Sequence, residues 1–263
     1  MSERIAARFR HGRKSLVPFV TAGDPHPDWT VDIMHALVEG GADLIELGVP
    51  FSDPIADGPV IQQSSERAIE KGVSLASVIE DVAEFRKRDS ATPVILMGYM
   101  NPIERFGVGR LAESCAEAGV DGLLLVDCPP EEAGEVHASL HAHGLDVIYL
   151  VAPTTDDGRL DRICEVAGGF IYYVSFKGIT GADRLDAAAL AEPVARIRAR
   201  SELPVAGGFG ISDGASARAV AEYTDGVVIG SALVRQLAET GSREEATELA
   251  RDFVASVRQA LDN

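Results

Sequence analysis

The stretch Trp29-Thr-Val-Asp-Ile-Met-His-Ala-Leu-Val-Glu-Gly-Gly-Ala-Asp-Leu-Ile-Glu-Leu-Gly-Val49 sets two periodicities side by side. Over Trp29–Val38, the residues Ile33, Met34, Leu37 and Val38 fall on one side of a 3.6-residue helix, and Gly40–Gly41 supply its stop. Leu44–Val49 is then near-continuously apolar, the pattern of a parallel strand covered on both faces. Similar runs occur at Val17–Val20, Val94–Met97, Leu123–Val126, Val147–Val151, Phe170–Val174, Leu203–Ala206 and Val227–Ile229. Helical patterns lie between them, over Ser74–Arg88 with Ser74 as N-cap, around Leu160, Ile163 and Val166, and over Ala246–Leu261. Strand–helix alternation repeated eight times predicts an α/β fold, a (β/α)8 TIM barrel, in preference to an open doubly wound sheet with fewer strands. Ile5, Ala6 and Phe9 add a short extra N-terminal helix. Two connections are long, Gly48 to Ser74 after strand 2 and Ser175 to Asp186 after strand 6. In a barrel, length after a strand builds the active-site face. Residues 1–263 show no linker or composition break and are expected to form a single barrel domain.

Composition narrows the function classes. With 46% hydrophobic residues and 26 glycines, the 263-residue chain is neither disordered nor a coiled coil. No apolar run approaches the ~18 residues of a spanning helix, and MSERIAARFRHGRK lacks the apolar core of a signal peptide. Lys and Arg number 24 against 41 Asp and Glu, a net charge of −17 that repels nucleic acid and anionic membranes. An anionic ligand must then be held by local dipoles. Cys115, Cys128 and Cys164 are odd in number with no CxxC spacing, which fits a reducing cytoplasm and no metal cluster.

Side chains alternate along a strand, so Leu44, Glu46 and Gly48 share one face and Ile45, Leu47 and Val49 the other. The apolar trio suits the helix-covered side, which puts Glu46 inside the barrel near its C-terminal mouth. A carboxyl there has its pKa raised toward the range useful for proton transfer. Asp57, in the turn-forming Ser52-Asp-Pro-Ile-Ala-Asp-Gly-Pro59, is a second carboxyl held over that mouth. Two carboxyls in unlike environments can divide acid and base roles. Glycine turns follow the last three strands: Gly178-Ile-Thr-Gly181, Gly207-Gly-Phe-Gly-Ile-Ser212 and Gly230-Ser-Ala232. Their backbone N–H groups suit a phosphate, which barrels often bind after strands seven and eight. His137, His141 and His143, on a helix expected over Glu131–His143, read as a solvated helix end, because no acid or cysteine nearby completes a metal set. Lys177 in the sixth loop reads as a solvated lid residue rather than a Schiff-base former. Phe19, Tyr172 and Phe209 at strand ends suit either core or the walls of a flat aromatic pocket.

These residues resemble the tryptophan synthase α-subunit family. The resemblance is carried by Val17-Pro-Phe-Val-Thr-Ala-Gly-Asp-Pro25, Ile45-Glu-Leu-Gly-Val-Pro-Phe-Ser-Asp-Pro-Ile-Ala-Asp-Gly-Pro59, Met97-Gly-Tyr-Met-Asn-Pro102, Asp127 with Pro129, Leu150-Val-Ala-Pro-Thr-Thr155, Gly178-Ile-Thr-Gly181 and Gly208-Phe-Gly-Ile-Ser212. It implies a lyase of tryptophan biosynthesis that splits indole-3-glycerol phosphate into indole and glyceraldehyde 3-phosphate by a retro-aldol reaction. By that resemblance Glu46 and Asp57 are the catalytic carboxyls. Gly181, Gly208, Gly210, Gly230 and Ser231 would bind the phosphate, and Phe19, Met97, Leu124, Val151, Tyr172, Thr180 and Phe209 would line the indole pocket. The implied partner is a β subunit in an α2β2 heterotetramer that receives the indole and carries pyridoxal phosphate, so no cofactor or metal is expected in this chain. Contact surfaces would be the Pro50–Asp57 loop, the Asn101-Pro102 turn and Cys128–Glu132. Three alternatives stand beside this reading: a free-standing indole-releasing lyase, a non-catalytic phosphate-binding regulatory subunit, and a related barrel such as indole-3-glycerol phosphate synthase. The last relies on a catalytic lysine at a strand end, and Lys14, Lys71, Lys87 and Lys177 all lie outside the expected strands.

Overall fold

The computed structural model describes residues 2–10, 12–174, 187–208 and 210–263. In chain order the elements are α1 (Glu3–Phe9), β1 (Ser15–Thr21), α2 (Thr30–Glu39), β2 (Ile45–Gly48), α3 (Pro59–Glu70), α4 (Leu75–Arg86), β3 (Val94–Gly98), α5 (Met100–Phe106), α6 (Val108–Ala118), β4 (Gly122–Leu125), α7 (Gly134–Ala142), β5 (Asp146–Val151), α8 (Asp157–Val166), β6 (Ile171–Val174), α9 (Ala191–Arg198), β7 (Val205–Gly208), α10 (Gly214–Ala221), β8 (Gly226–Ile229), α11 (Ser231–Leu237) and α12 (Arg243–Asp262). Each strand pairs in parallel with the next and β8 pairs with β1, which closes the eight-stranded barrel that the sequence predicts.

Strand alternation sorts the apolar residues into two layers. Ile45, Leu47, Leu96, Leu123, Val147 and Val227 join the large cluster beneath the helices. Val17, Leu44, Ile95, Leu124, Ile148, Phe170, Tyr172, Ala206 and Val228 fill the barrel. Ile5 and Phe9 of α1 join that inner cluster, with the Phe9 and Phe170 rings 5.5 Å apart. The short N-terminal helix thus plugs the barrel at the N-terminal ends of its strands.

Several boundaries differ from the sequence reading. The Gly48–Ser74 connection is not all loop, since α3 occupies its second half. The helix expected over Glu131–His143 begins only at Gly134, because Pro129 to Ala133 form a turn, with Glu132 and Ala133 both donating to the Pro129 carbonyl. The seventh strand runs over Val205–Gly208 rather than Leu203–Ala206, so Gly207 and Gly208 are strand and not turn. Both are close-approach positions. A Cβ on Gly207 would stand 2.7 Å from Val220, and one on Gly208 would stand 2.4 Å from the Tyr172 hydroxyl oxygen. The sixth loop, with Lys177, lies outside the described residues.

Candidate active site

Glu46 sits in β2, paired with Phe19 of β1 on one side and Ile95 of β3 on the other. It is 3% exposed, and its Oε1 has no hydrogen-bond partner among the described residues. Burial pushes the Glu46 carboxyl up to about 8, with the neighbouring charge of Asp57 adding in the same direction. A carboxyl in that range is protonated at neutral pH and can give its proton away.

Asp57 lies on the loop that follows β2. The backbone there is tied by Asp57 N–H donating to the Pro54 carbonyl at 3.0 Å, while Gln62 in α3 donates its side-chain amide to the Asp57 carbonyl at 2.8 Å. Burial raises the Asp57 carboxyl to about 6, and a hydrogen bond from Tyr99 works against that rise. The Tyr99 hydroxyl donates to Asp57 Oδ2 at 3.0 Å and accepts from the Ala56 N–H at 3.2 Å. Its ring rests against Phe51, centroids 5.1 Å apart. Asp57 is therefore mostly ionised at neutral pH, and the two carboxyls stand in opposite states. Tyr172 in β6 is buried, and its phenol is pushed up by that burial and then by the charges of Glu46 and Asp57. The three groups therefore share one space above the barrel core.

Of the other residues the sequence singles out, Phe19, Met97, Leu124 and Tyr172 belong to the inner face. Phe19 packs with Met97, Ile61 and Val234, and it leans so closely on Gly48 that a Cβ there would stand 2.6 Å from its ring. Val151 is a correction. It lies with Tyr149 in the layer beneath the helices, whereas Leu150 packs on the inner cluster, because successive residues of a strand face opposite ways. Gly208 ends β7, Gly210 follows with φ +71°, and Gly230 follows β8 with Ser231 opening α11, so these four gather at the C-terminal ends of two paired strands. Thr180, Gly181 and Phe209 lie outside the described residues. Sequence reasoning assigned no role to Tyr99 or Gln62. Tyr99 directly follows the end of β3, and that position was the signal available for it.

The histidines do not gather into a site. His137 Nε2 hydrogen-bonds the Val166 carbonyl at 2.9 Å, and His143 Nδ1 bonds the Ser139 carbonyl at 2.8 Å. Among the described residues no group of three or more His, Cys, Asp or Glu is arranged to hold a metal ion. Cys128 is 7% exposed against the outer cluster, so of the Cys128–Glu132 stretch it is Glu131 and Glu132 that face outward.

The closed eight-stranded parallel sheet with its surrounding helices places the chain among the (β/α)8 barrels. A family model described as Tryptophan synthase alpha chain matches residues 5–261. The chain belongs to that family, and is thereby a carbon–carbon lyase of tryptophan biosynthesis that cleaves indole-3-glycerol phosphate. It is 57% identical over 258 residues to the tryptophan synthase alpha chain of Burkholderia pseudomallei (strain K96243), covering 98% of this chain and 95% of that one. It is 57% identical over 265 residues to that of Xanthomonas campestris pv. campestris (strain B100), covering 99% and 97%. Among solved structures, tryptophan synthase subunit alpha from Legionella pneumophila str. Paris superposes with a TM-score of 0.91 at 43% identity, covering 100% of this chain and 99% of that chain. A chain of the tryptophan synthase complex from Pyrococcus furiosus gives 0.83 at 39% identity, covering 94% and 99%.

Proposed function

We propose that Glu46 is the proton shuttle and Asp57 the electrostatic partner of the retro-aldol cleavage. The observation that carries this is the opposite ionisation of the two carboxyls, Glu46 held neutral by burial and Asp57 left charged beside Tyr99. Glu46 gives its proton to indole C3, which breaks the ring's aromaticity and leaves positive charge at the ring nitrogen. The ionised Asp57 accepts the indole N–H and stabilises that charge. As the C–C bond breaks, its electrons restore the indole, and the Glu46 carboxylate takes the proton of the side-chain hydroxyl that becomes the aldehyde. The carboxyl is thus returned to its starting state. Phosphate is held at Gly208, Gly210, Gly230 and Ser231, with Gly181 completing the set, through backbone N–H groups rather than cations. The indole packs on Phe19, Met97, Leu124 and Tyr172, with Leu150 in place of Val151, and the family resemblance adds Thr180 and Phe209 as further substrate-binding residues.

Residues 1–263 work in this reading as one barrel domain in the cytoplasm, and among the described residues no helix is long and apolar enough to cross a membrane. The partner is a tryptophan synthase β subunit, two of each chain per complex, and pyridoxal phosphate belongs to that partner. The loop bearing Asp57 supports this pairing: Ile55 at its tip is 86% exposed, an apolar side chain presented to solvent two residues from the site. Partner binding would order that loop and couple cleavage to indole transfer. Ile55→Asp should weaken α–β association and lower indole release in the mixture, while the isolated chain keeps its own slow rate.

The deciding experiment is indole release from indole-3-glycerol phosphate with a β subunit present, for the native chain and Glu46→Gln. Loss of a proton shuttle should cost about 10²–10⁴-fold. Retained activity in Glu46→Gln would reject the assignment. Equal release rates with and without β subunit at saturating substrate would reject the coupling.

A further inference from the structure

The helix that carries the far side of the Asp57 loop is anchored at its other end by a paired charge. Asp24, in the turn after β1, is 4% exposed. Arg67, near the end of α3, donates to both of its oxygens, Nε to Oδ1 at 2.7 Å and an η-nitrogen to Oδ2 at 2.8 Å. This is the two-pronged geometry that fixes direction as well as distance. Around it the β1 turn and α3 are fitted closely. Gly23, at φ +82°, leaves room for Val73, which a Cβ would approach to 2.2 Å, and Lys71 Nζ donates to the Pro25 carbonyl.

Toward the site, the same face of α3 makes two further contacts with β1. Ser64 and Thr21 share a buried hydroxyl–hydroxyl bond of 2.7 Å, and Ile61 packs on Phe19. Residues 61, 64 and 67 recur at the helical spacing of three, and they meet Phe19, Thr21 and Asp24 in the same order. One helical face is thereby laid along the end of β1. Its N-terminal residue Pro59 stands two residues from Asp57, and Gln62 on the first turn holds the Asp57 carbonyl. The Arg67 end is about 12 Å along the axis from Pro59, so a tilt of α3 there is carried to the carboxyl.

We propose that Arg67, clamped by Asp24, is a positioning residue that sets the pitch of α3 and, through Gln62 and the Pro59 turn, holds Asp57 over Glu46 and under Tyr99. This rests on the assignment of Asp57 to the chemistry above. Loosening the clamp leaves Glu46 in its strand and the phosphate glycines on β7 and β8 untouched. Among the groups assigned to the chemistry it displaces the carboxyl that must meet the indole N–H, and the contact of Ile61 with Phe19 loosens with it. A misplacement of about 1 Å can cost on the order of 10²-fold in rate.

The test compares Arg67→Met, Arg67→Lys and Asp24→Asn with the native chain, each in complex with a β subunit, reading kcat, KM and the pH profile of kcat. Asp57 titrates among Tyr99, which bonds it, and Glu46 and Tyr172, whose ionisation it opposes. Displacement from Tyr99 removes the bond that favours its ionised form, so the acid limb should move to higher pH. Arg67→Met and Asp24→Asn should lower kcat about 10–100-fold with little change in KM, and Arg67→Lys, which can replace one of the two bonds, should recover part of it. The double variant should be no worse than the poorer single one, since both remove the same pair. Native kcat in Arg67→Met, or a loss that follows thermal stability while the acid limb stays in place, would overturn the proposal. Asp57→Asn separates the two levels. If it is inactive and Arg67→Met is native, only the clamp fails. If it keeps native activity, the assignment of Asp57 fails and the clamp with it.

Discussion

Glu46 trades water for the barrel interior without gaining a hydrogen-bond partner for Oε1 among the described residues, and that trade sets its chemistry and its cost. Its pKa goes from the ordinary 4.5 to about 8 on folding. Between those values the folded chain holds a proton that the unfolded chain releases, so this residue's contribution falls as pH rises from about 4.5 to about 8. Asp57, raised from 3.8 to about 6, acts in the same direction over its own window. Glu46→Gln should therefore be more stable than the native chain above about pH 8, by on the order of 5 kcal/mol, with the gap closing below about pH 4.5. Chemical denaturation across that range reads it directly, and a gap that does not depend on pH would count against a neutral Glu46. Tyr99→Phe removes the only side-chain hydrogen bond to the Asp57 carboxyl among the described residues. Its expected signature is an acid limb displaced upward and a loss of about tenfold in kcat, with melting temperature little changed.

At the scale of elements, helices with a clean apolar stripe were legible and those that bury small polar residues were not. The Ser74 start is an example of the first kind: Ser74 and Ser77 bond reciprocally, and Leu75, Val78, Ile79, Val82 and Phe85 are all buried. Ser74→Ala should cost about 0.5–1 kcal/mol, seen as a lower denaturation midpoint at unchanged slope. By contrast α3 buries Ser64 and Ser65 beside Ile61 and Ala68, so its inner face looks polar in sequence. In α5, with Pro102 in its first turn, only Ile103 is buried. Both helices pack on neighbouring helices, α3 on α11 as well as on β1 and α5 on α6 and α4, and the few large apolar residues they bury leave a thin stripe to read. The end of β7 depends on glycine for a similar reason of space. Gly208→Ala sets a methyl against the Tyr172 hydroxyl, and the expected result is a raised KM for indole-3-glycerol phosphate as the ring is driven into the pocket. An unchanged KM would mean that Tyr172 does not border the substrate.

At the scale of the whole molecule, buried carboxylates add to the apolar plug of Ile5 and Phe9 at the N-terminal end of the barrel. Asp121 accepts from Ser2 Oγ at 2.7 Å, Arg4 Nε at 2.7 Å, an Arg86 η-nitrogen at 2.8 Å and the Val94 N–H at 2.9 Å. Asp43 accepts from Arg13, Arg258 and the Leu16 N–H, joining the first strand to the last helix. Asp121→Ala leaves two guanidiniums facing each other without their shared acceptor, and should destabilise by about 3–5 kcal/mol. The folded fraction should keep native KM, because this end is remote from the C-terminal mouth. A net charge of −17 adds self-repulsion that salt screens, so the melting temperature should rise with added sodium chloride.

The strand–helix alternation and the inward placement of Glu46 were determined by local periodicity, which is a property of neighbouring residues and needs no knowledge of the rest of the chain. The Glu46–Pro59 block likewise carried the family, since its order of carboxyls and turn residues is linear. What only the tertiary structure decided is which groups from distant segments meet. Tyr99 reaches Asp57 across 42 residues, Arg67 reaches Asp24 across 43, and the parity of β5 gives the interior to Leu150 instead of Val151. Those meetings depend on strand register and, beside Asp24, on the close approach to Val73 that Gly23 allows, and no spacing along the chain encodes them. The ionisation of the two carboxyls belongs to the same class, because it is set by how much water the closed barrel removes from each.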